Sequence, residues 1–254
     1  MTDQQSGDLF QYALRLGDDA LVLGQRLSAW CGHAPILEVD LALANMALDL
    51  VGQATHFLEY AGQVEGKGRD GDRLAFHRDV FDFTNCLLVE QPNGDFARTM
   101  ARQFLFSTWQ HALFERLAGS SDATVSAVAQ KAVKETAYHV RFASEWMVRL
   151  GDGTEESRAR LVDGLQWVWR FAEELFVNDE VDERLIASGV AVDKAALRPA
   201  WDAHVDRTLA EATVERPAPH RALIGGRVGR HSEHLGHLLS DMQFMQRAYP
   251  DARW

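Results

Sequence analysis

The chain has 254 residues, of which 46% are hydrophobic, and it carries a formal net charge of −11 at pH 7. A chain of this size can bury a large core, and we expect one domain, residues 1–254, with residues 1–8 flexible. The acidic charge argues against a general affinity for nucleic acid or an anionic membrane, because both require a clustered cationic surface.

Cysteine content and hydropathy restrict the cellular setting. The two cysteines, Cys31 and Cys86, are too few for a disulfide framework or an iron–sulfur site, and they favour a reducing compartment. The N-terminal residues lack the basic and apolar regions of a secretory signal, and no apolar run reaches membrane-spanning length. We therefore predict a cytoplasmic location, with no membrane partner and no nucleic-acid partner.

Apolar residues at helical spacing predict seven long helices and no strand. The predicted helices cover residues 9–30, 37–60, 96–117, 123–150, 155–176, 195–213 and 232–248. Asp95 and Asp122 are candidate N-caps of the third and fourth helices. Pro and Gly predict breaks between the helices, residues 178–193 are predicted as an acidic loop, and residues 74–89 have no clear assignment. The pattern indicates an all-α fold, with antiparallel neighbours.

The second predicted helix is apolar on nearly every side between Leu41 and Val51. Asn45 and Asp49 are its only polar members there, and their i, i+4 spacing places them on one face. A helix that is hydrophobic all round is typical of a buried position. We therefore expect this helix to lie inside a bundle.

The fourth predicted helix carries Thr136 and His139 at i and i+3. Di-iron helical bundles place a Glu and a His at this spacing on two helices, and add one carboxylate from each of the other two. The first helix offers Asp18 and Asp19, but the acidic position of the fourth holds Thr136, and no Glu-x-x-His sequence occurs in the chain.

The third predicted helix presents neutral side chains, Gln103, Ser107 and Gln110, where an acid would be needed. Iron in such sites is held mainly by anionic oxygen ligands, so this residue set predicts no functional di-iron site. We expect His139 to be a hydrogen-bonded interior histidine, with Glu135, Gln53 or Thr136 as its partner.

A second histidine group, His231, His234 and His237, has i, i+3, i+6 spacing. Neighbouring pairs could chelate a metal, but three imidazoles at this spacing drift around a regular helix, and we favour a contact or capping role. A rival hypothesis is an enzyme in its own right, with a mononuclear metal at His139 or at His234 and His237.

One basic stretch stands out on the acidic chain and is interleaved with glycines. Its members are Arg216, His220, Arg221, Arg227 and Arg230. Two hypotheses remain open. The segment could bind an acidic partner or a phosphate-bearing ligand, since Arg binds phosphate in a bidentate manner and Gly allows close backbone approach, or it could be a solvated loop.

Several long segments in fixed order resemble the C-subunit family of bacterial ring-1,2-phenylacetyl-CoA epoxidases, the multicomponent monooxygenases of aerobic phenylacetate breakdown. The resemblance extends over nearly the whole chain. It rests on LRLGDDALVLGQRLSAWCGHAP, LEVDLALANMALDLVGQA, LLVEQPNGDFARTMARQ, KETAYHVRF and GRHSEHLGHLLSDMQ.

This resemblance implies a ferritin-like antiparallel four-helix bundle with additional C-terminal helices. It implies a catalytic partner, the A component of the complex, that carries the di-iron centre, together with a small bridging B component and a reductase with flavin and an iron–sulfur cluster. No cofactor is expected in this chain. It is expected to be a non-catalytic structural subunit that pairs with the catalytic component and stabilises it.

The resemblance also indicates where metal ligands are missing. The catalytic component carries Asp-Glu-Ala-Gly-His where this chain has residues 49–53, so the Glu and His ligands correspond to Leu50 and Gln53. A Glu-x-x-His pair corresponds to Thr136 and His139. The alternative functions are a substrate-delivery module that binds the CoA phosphates through residues 216–231, with Arg227 and Arg230 as contacts, and a metal-dependent enzyme.

Overall fold

The structure is a computed structural model, and it describes residues 3–218, 221–250 and 252. These residues form helices and connecting segments with no strand, so the predicted all-α fold class is confirmed. The α-helices in the described residues are α1 Asp3–Ser28, α2 Leu37–Glu65, α3 Gly71–Phe76, α4 Phe96–Leu117, α5 Ala123–Gly151, α6 Glu155–Trp169, α7 Glu180–Ala187, α8 Arg198–Glu211 and α9 Glu233–Ala248.

The chain forms two compact units. The first unit comprises Met1–Pro92 and Gly225–Trp254, and the second comprises Asn93–Ile224. The C-terminal part of the chain therefore returns to the unit in which the chain began. The single domain expected from the sequence, residues 1–254, stays a prediction.

In the first unit, α1 and α2 pack along each other, and α3 and α9 add to this pair. Every residue from Tyr12 to Gly24 of α1 is buried. Gly17 allows the close approach of α2, because a Cβ atom there would lie 2.7 Å from Leu58 Cδ2. Helix α1 begins at Asp3, inside the segment that we expected to be flexible.

In the second unit, α4 packs against α5, α6 and α8. Trp201 of α8 is buried, and its indole N–H donates to the Leu105 carbonyl at 2.9 Å. Gly164 of α6 lies against the α4 backbone, where a Cβ atom would be 2.7 Å from Arg98 Cα. The apolar faces predicted for these helices thus form a core around α4.

The predicted N-caps of the two longest helices in the second unit are confirmed. The Asp95 side chain accepts from Arg98 N at 2.9 Å, and the Asp122 side chain accepts from Val125 N at 2.9 Å. Each carboxylate satisfies a backbone N–H that has no partner inside its helix. The starts of α4 and α5 therefore agree with the sequence to the residue.

Other boundaries differ from the prediction. The predicted helix 155–176 ends at Trp169 and continues, after a break, as the 3-10 turn Ala172–Phe176. Residues 178–193, predicted as a loop, contain α7, whose start is closed by a capping box between Asp179 and Asp182. Residues 74–89 hold the end of α3 and the 3-10 turn Val80–Asp82, and α2 extends to Glu65.

Candidate functional site

Asp18, one of two acids that the sequence offered on helix α1, forms a fully buried ion pair with Arg78. One guanidinium nitrogen of Arg78 donates to Asp18 Oδ2 at 3.0 Å, and the other contacts Oδ1. Thr84 adds hydrogen bonds to Oδ2 from its backbone N at 2.8 Å and its hydroxyl at 3.0 Å. Buried charges of this kind require paired, hydrogen-bonded partners, and Asp18 has them.

Asp19 is held in the same way by Arg227. The guanidinium donates to Oδ1 at 3.0 Å and to Oδ2 at 2.7 Å, and Cys86 N donates to Oδ1 at 2.7 Å. The Arg227 side chain is only 12% exposed and also donates to the Thr84 carbonyl at 3.0 Å. The bidentate geometry fixes the turn that carries Arg227 against α1.

Glu90 and His231 form a third buried ion pair in the first unit. Glu90 accepts from Ser232 N at 2.6 Å and from Asn85 Nδ2 at 3.0 Å, and His231 Nδ1 lies 2.7 Å from Glu90 Oε2. The other ring nitrogen of His231 lies 2.8 Å from the Phe83 carbonyl. Because both oxygens only accept, both ring nitrogens carry protons, and the ring is an imidazolium.

The pKa of His231 is raised above its ordinary value. Burial lowers the pKa, but the hydrogen bonds to the Glu90 carboxylate and the Phe83 carbonyl, with the charge of Glu90, outweigh burial. This histidine therefore serves as the counter-ion of a buried carboxylate, in agreement with the contact role expected for His231.

Thr136 and His139 are both buried in α5 of the second unit. The Thr136 hydroxyl donates to the Ala132 carbonyl at 2.9 Å, and His111 Nδ1 lies 3.1 Å from the Thr136 oxygen. Since the single hydroxyl proton is engaged, His111 is the donor of this second bond. The position that would be acidic in a metal site is thus occupied by a neutral hydroxyl that joins α4 to α5.

Three neutral polar side chains of α4 are also buried: Gln103, Ser107 and Gln110. Neither amide atom of Gln103 has a hydrogen-bond partner among the described residues. In the first unit, Leu50 and Gln53 of α2 are buried. The donor set is poor in anionic oxygens at all of these positions, so the residues do not fit a di-iron centre.

A hydroxyl and an imidazole meet in the second unit, although their sequence spacing gave no sign of it. Ser144 Oγ lies 3.0 Å from His204 Nε2, and Arg207 lies 2.8 Å from His204 Nδ1. Because Arg can only donate, Nδ1 accepts and Nε2 carries the proton, which it donates to Ser144. This tautomer is the reverse of what a general base for Ser144 requires. The pKa of His204 is lowered by burial and by Arg207, which agrees with a neutral ring.

The remaining histidines and the basic stretch are placed as follows. His234 and His237 lie on α9, and His234 accepts a hydrogen bond from Arg26 through its backbone carbonyl at 3.1 Å. Arg230 is exposed and makes no side-chain hydrogen bond within the described part of the chain. His220 lies outside the described residues.

Across residues 3–218, 221–250 and 252, no group of three His, Cys, Asp or Glu side chains is arranged to hold a metal.

One face of α2 is exposed, in contrast to the complete burial suggested by its sequence. Leu37 is 68% exposed, Leu41 56% and Leu48 69%, and Ile36 precedes them at 50%. Their spacing of four and seven residues places Leu37, Leu41 and Leu48 along one side of the helix. We refer to these three residues as the α2 stripe.

The helices of the described residues do not include a membrane span. None of them combines the length and the apolar character that crossing a bilayer requires.

Comparison with known proteins places the chain in a family. The family model described as "Phenylacetic acid catabolic protein" matches residues 1–254. The chain belongs to this family. It is 51% identical over 246 residues to the Escherichia coli (strain K12) protein named as the C subunit of 1,2-phenylacetyl-CoA epoxidase, covering 97% of this chain and 99% of that protein. The resemblance found in the sequence is confirmed, and the all-helical structure agrees with the ferritin-like helical fold expected for the phenylacetic acid catabolic family.

Proposed function

We propose that this chain is a non-catalytic structural subunit of a phenylacetyl-CoA epoxidase, and that it pairs with and stabilises the iron-bearing catalytic component of the complex. The observation that carries the proposal is the α2 stripe. A chain-internal bundle would bury an all-round apolar helix, yet Leu37, Leu41 and Leu48 are more than half exposed. Three exposed leucines on one side of a helix, with the polar Asn45 between the second and the third, are expected where another protein covers the helix.

The non-catalytic role is supported by what the interior acids do. Asp18 and Asp19 accept bidentate hydrogen bonds from Arg78 and Arg227, so their oxygens are engaged by cations of the chain itself. A metal at such a carboxylate would place a second cation beside the buried guanidinium that already balances its charge, and displacing that guanidinium would leave a buried cation unpaired. The iron is therefore assigned to the catalytic component, and flavin and the iron–sulfur cluster to the reductase. We also propose that the complex contains a small bridging B component. We propose that this chain is cytoplasmic and has no membrane or nucleic-acid partner.

Co-expression with the catalytic component tests this proposal. We expect the two chains to copurify, with iron in the complex and none bound stoichiometrically by the isolated chain. A Leu41→Asp variant should lose the partner, because a charge at the centre of an apolar interface is desolvated without compensation. Phe244→Asp is a matched control, since Phe244 is 61% exposed on α9. Stoichiometric iron in the isolated chain, with activity on phenylacetyl-CoA, would contradict the proposal.

A substrate-delivery role is the second candidate, and the exposure of Arg230 favours it. A free guanidinium on the surface can bind a phosphate without breaking an internal bond, whereas Arg227 would have to leave Asp19. If this role is correct, Arg230→Ala raises the KM of the assembled complex for the CoA substrate without affecting assembly. Unchanged kinetics would leave Arg230 as a solvated residue.

A further inference from the structure

Helix α5 of the second unit carries an excess of positive charge. It contains four Lys and Arg residues and two Glu residues, on a chain in which 37 acidic residues outnumber 26 basic ones. Lys131, Lys134 and Arg141 are exposed, and none of the three forms an ion pair with a described residue. Arg160 of α6, by comparison, is paired one turn away with Glu156 at 2.6 Å. The chain itself therefore leaves the positive charge of α5 uncompensated.

The basic residues of α5 lie on one side of the helix. Because successive residues turn by about 100° around a helix axis, positions 131, 134, 138, 141, 145 and 149 follow one line over about 27 Å. Glu145 is the one acidic side chain in this line, and it lies 3.8 Å from Arg149. We call the surface formed by these six positions the α5 face.

A row of partly exposed aromatic rings runs along the α5 face. Tyr138, Phe142 and Trp146 are one turn apart, and their neighbouring ring centroids are separated by 6.0 Å and 6.5 Å. The Arg141 guanidinium lies 5.4 Å from the centroid of Tyr138, and that of Arg149 lies 5.2 Å from the centroid of Trp146. A guanidinium that rests on a ring is already restricted in motion, so it loses less entropy when it binds a carboxylate.

A groove lies beside the α5 face, between α5 and α8. It has a volume of about 540 Å³ and a mainly apolar lining, to which α5 contributes Ala137, Val140 and Val148. Arg141 and Arg149 of the α5 face also line it. A groove of this size holds several aliphatic side chains. An apolar groove bordered by guanidinium groups fits an amphipathic segment whose polar side is acidic.

The same features favour a protein ligand over a nucleic acid. Single-stranded nucleic acids bind by stacking bases on aromatic ring faces, but guanidinium groups lie over the rings of Tyr138 and Trp146. Glu145 and Glu211 line the groove and would repel a continuous row of phosphates. A peptide can place its carboxylates at the arginines alone and present apolar side chains elsewhere.

We propose that the α5 face and the groove beside it bind an acidic, amphipathic segment of a partner protein. The carboxylates of the segment contact Lys131, Lys134 and Arg141, and its apolar side chains enter the groove. Opposite charges on the two surfaces speed their encounter, and a small contact of this kind suits a partner that binds and leaves. The inference does not depend on the α2 stripe or on the function proposed above.

Fluorescence anisotropy with a labelled synthetic peptide measures this binding on the full-length chain. The probe has about 15 residues, with leucines at helical spacing and glutamate at the other positions. We expect a dissociation constant below about 100 µM at low ionic strength, weakened about tenfold between about 20 and about 200 mM salt. A peptide with lysine in place of glutamate should not bind. A wild-type chain that does not bind the acidic peptide, or that binds both peptides equally, overturns the proposal.

Two double variants of matched charge identify the surface. Lys134→Glu with Arg141→Glu should weaken binding of the acidic peptide about 30-fold or more, because two unpaired cations are reversed. The control, Lys67→Glu with Arg160→Glu, changes the net charge equally through side chains that are 75% and 57% exposed outside the α5 face. It should weaken binding less than about threefold. All four side chains are exposed, so the thermal unfolding midpoints should stay close to that of the wild type. Equal losses of binding in the two double variants would overturn the proposal.

Ala137→Trp tests the groove separately from the charge. Ala137 is exposed, and an indole at this position fills the groove without changing a charge. Binding of the leucine-containing peptide should weaken at least about tenfold, whereas the weaker binding of a peptide of glutamate and alanine should not change. An Ala137→Trp variant that binds the leucine-containing peptide normally overturns the proposal.

A single-stranded oligonucleotide of about 15 nucleotides is the final probe, and it tests the class of partner. We expect it to bind more weakly than the acidic peptide. Tighter binding of the oligonucleotide, lost in the Lys134→Glu, Arg141→Glu variant, would assign the α5 face to nucleic acid and overturn the proposal.

Discussion

The two units differ in how they bury polar side chains. The first unit buries ionised groups, and pairs each of Asp18, Asp19 and Glu90 with a cation from a distant part of the chain. In the second unit, α4 and α5 are joined through neutral groups, with Thr136 bonded to His111, although α4 also buries the cationic side chain of Arg102. An acidic side chain can therefore be kept inside a helical protein without a metal when a guanidinium or imidazolium takes the place of the ion.

Buried ion pairs and buried neutral groups differ in the free energy that is lost when one partner is removed. A buried ion pair contributes little net stability compared with well-packed apolar residues, but breaking it leaves a charge without a partner. A buried neutral group costs less to disrupt, because only a hydrogen bond is lost. Substitutions of the paired acids in the first unit should therefore be costly, and substitutions of the neutral groups Thr136 and Gln103 should be better tolerated. Among its described residues, the second unit also buries charged groups: Arg102 on α4, Glu174, and the ion pair Lys194–Asp182.

The largest effect is expected for Asp18→Ala. This change leaves Arg78 buried without its carboxylate, and we expect a loss of about 3–5 kcal/mol in the free energy of unfolding. Chemical denaturation followed by circular dichroism measures it. Asp163→Ala is the matched control, because its partner Arg98 forms an ion pair with an Asp163 side chain that is 75% exposed, and about 1 kcal/mol or less should be lost. Equal effects of the two changes would remove the contrast between buried and exposed pairs.

Arg227→Ala should have the next largest effect. Asp19 would keep its bond from Cys86 N but lose the guanidinium, and we expect a loss of about 2–4 kcal/mol. Arg230→Ala, three residues away and exposed, should change stability by less than about 0.5 kcal/mol. Thermal unfolding of the two variants side by side separates a structural arginine from a surface one. A stable Arg227→Ala variant would show that the ion pair with Asp19 is dispensable. Arg227 would then again be a candidate contact for a phosphate-bearing ligand.

The neutral core should respond much less. Thr136→Val removes the acceptor of the His111 N–H and should cost about 1–2 kcal/mol. Gln103→Met replaces an amide whose two polar atoms have no partner in the described structure, and it should be neutral or stabilising by about 1 kcal/mol. Denaturation midpoints of both variants provide the measurement. A destabilised Gln103→Met variant would show that the amide is satisfied in solution, for example by an internal water molecule.

A change of pH should have the smallest effect on the free energy of unfolding, because the burial of His231 offsets part of the stabilisation that its ion pair with Glu90 provides. The raised pKa of His231 means that its contribution to stability is fully present below the unfolded value near 6.5, and is lost as the pH rises through the folded pKa. The lowered pKa of His204 acts in the opposite sense, so its contribution is present above about pH 6.5 and is lost as the pH falls through the folded pKa.

Unfolding of the wild type, His231→Asn and His204→Asn at several pH values checks this pair of expectations. The difference between wild type and His231→Asn should shrink as the pH rises, and the difference for His204→Asn should shrink as it falls. Titration of the two imidazoles by NMR gives the pKa values directly. Parallel pH profiles for the two variants would contradict the opposite charge states assigned to the two rings.

The sequence predicted the helices best where local signals are strong. Helix α4 begins and ends as predicted because Asp95 caps an apolar stretch of high helical periodicity. Helix α7 was missed because it has only eight residues and an acidic composition, so few apolar positions mark its period. Helix α2 was predicted as buried, and its exposed stripe was missed, since a helix that is apolar on nearly every side carries no signal for which side faces solvent.

The candidate site was predictable in composition but not in contacts. The lack of an acid at Thr136 and at Leu50 is visible in the sequence, and so is the neutral character of Gln103. The pairing of Asp18 with Arg78 is not, because 60 residues separate them and no periodic pattern joins a carboxylate to a particular arginine. The same holds for Ser144 and His204, also 60 residues apart. Whether Leu50, Gln53, Thr136 and His139 descend from metal ligands stays a prediction.

The return of the C-terminal segment to the first unit has a consequence for biosynthesis. Asp19 is translated 208 residues before Arg227, the residue that neutralises it. While the chain grows on the ribosome, α1 and α2 can associate, but the carboxylates of Asp19 and Glu90 must stay hydrated until the last segment emerges. Chains truncated before Gly225 should therefore be recognised as incomplete by chaperones and proteases, because Asp19 and Glu90 would lack their cationic partners.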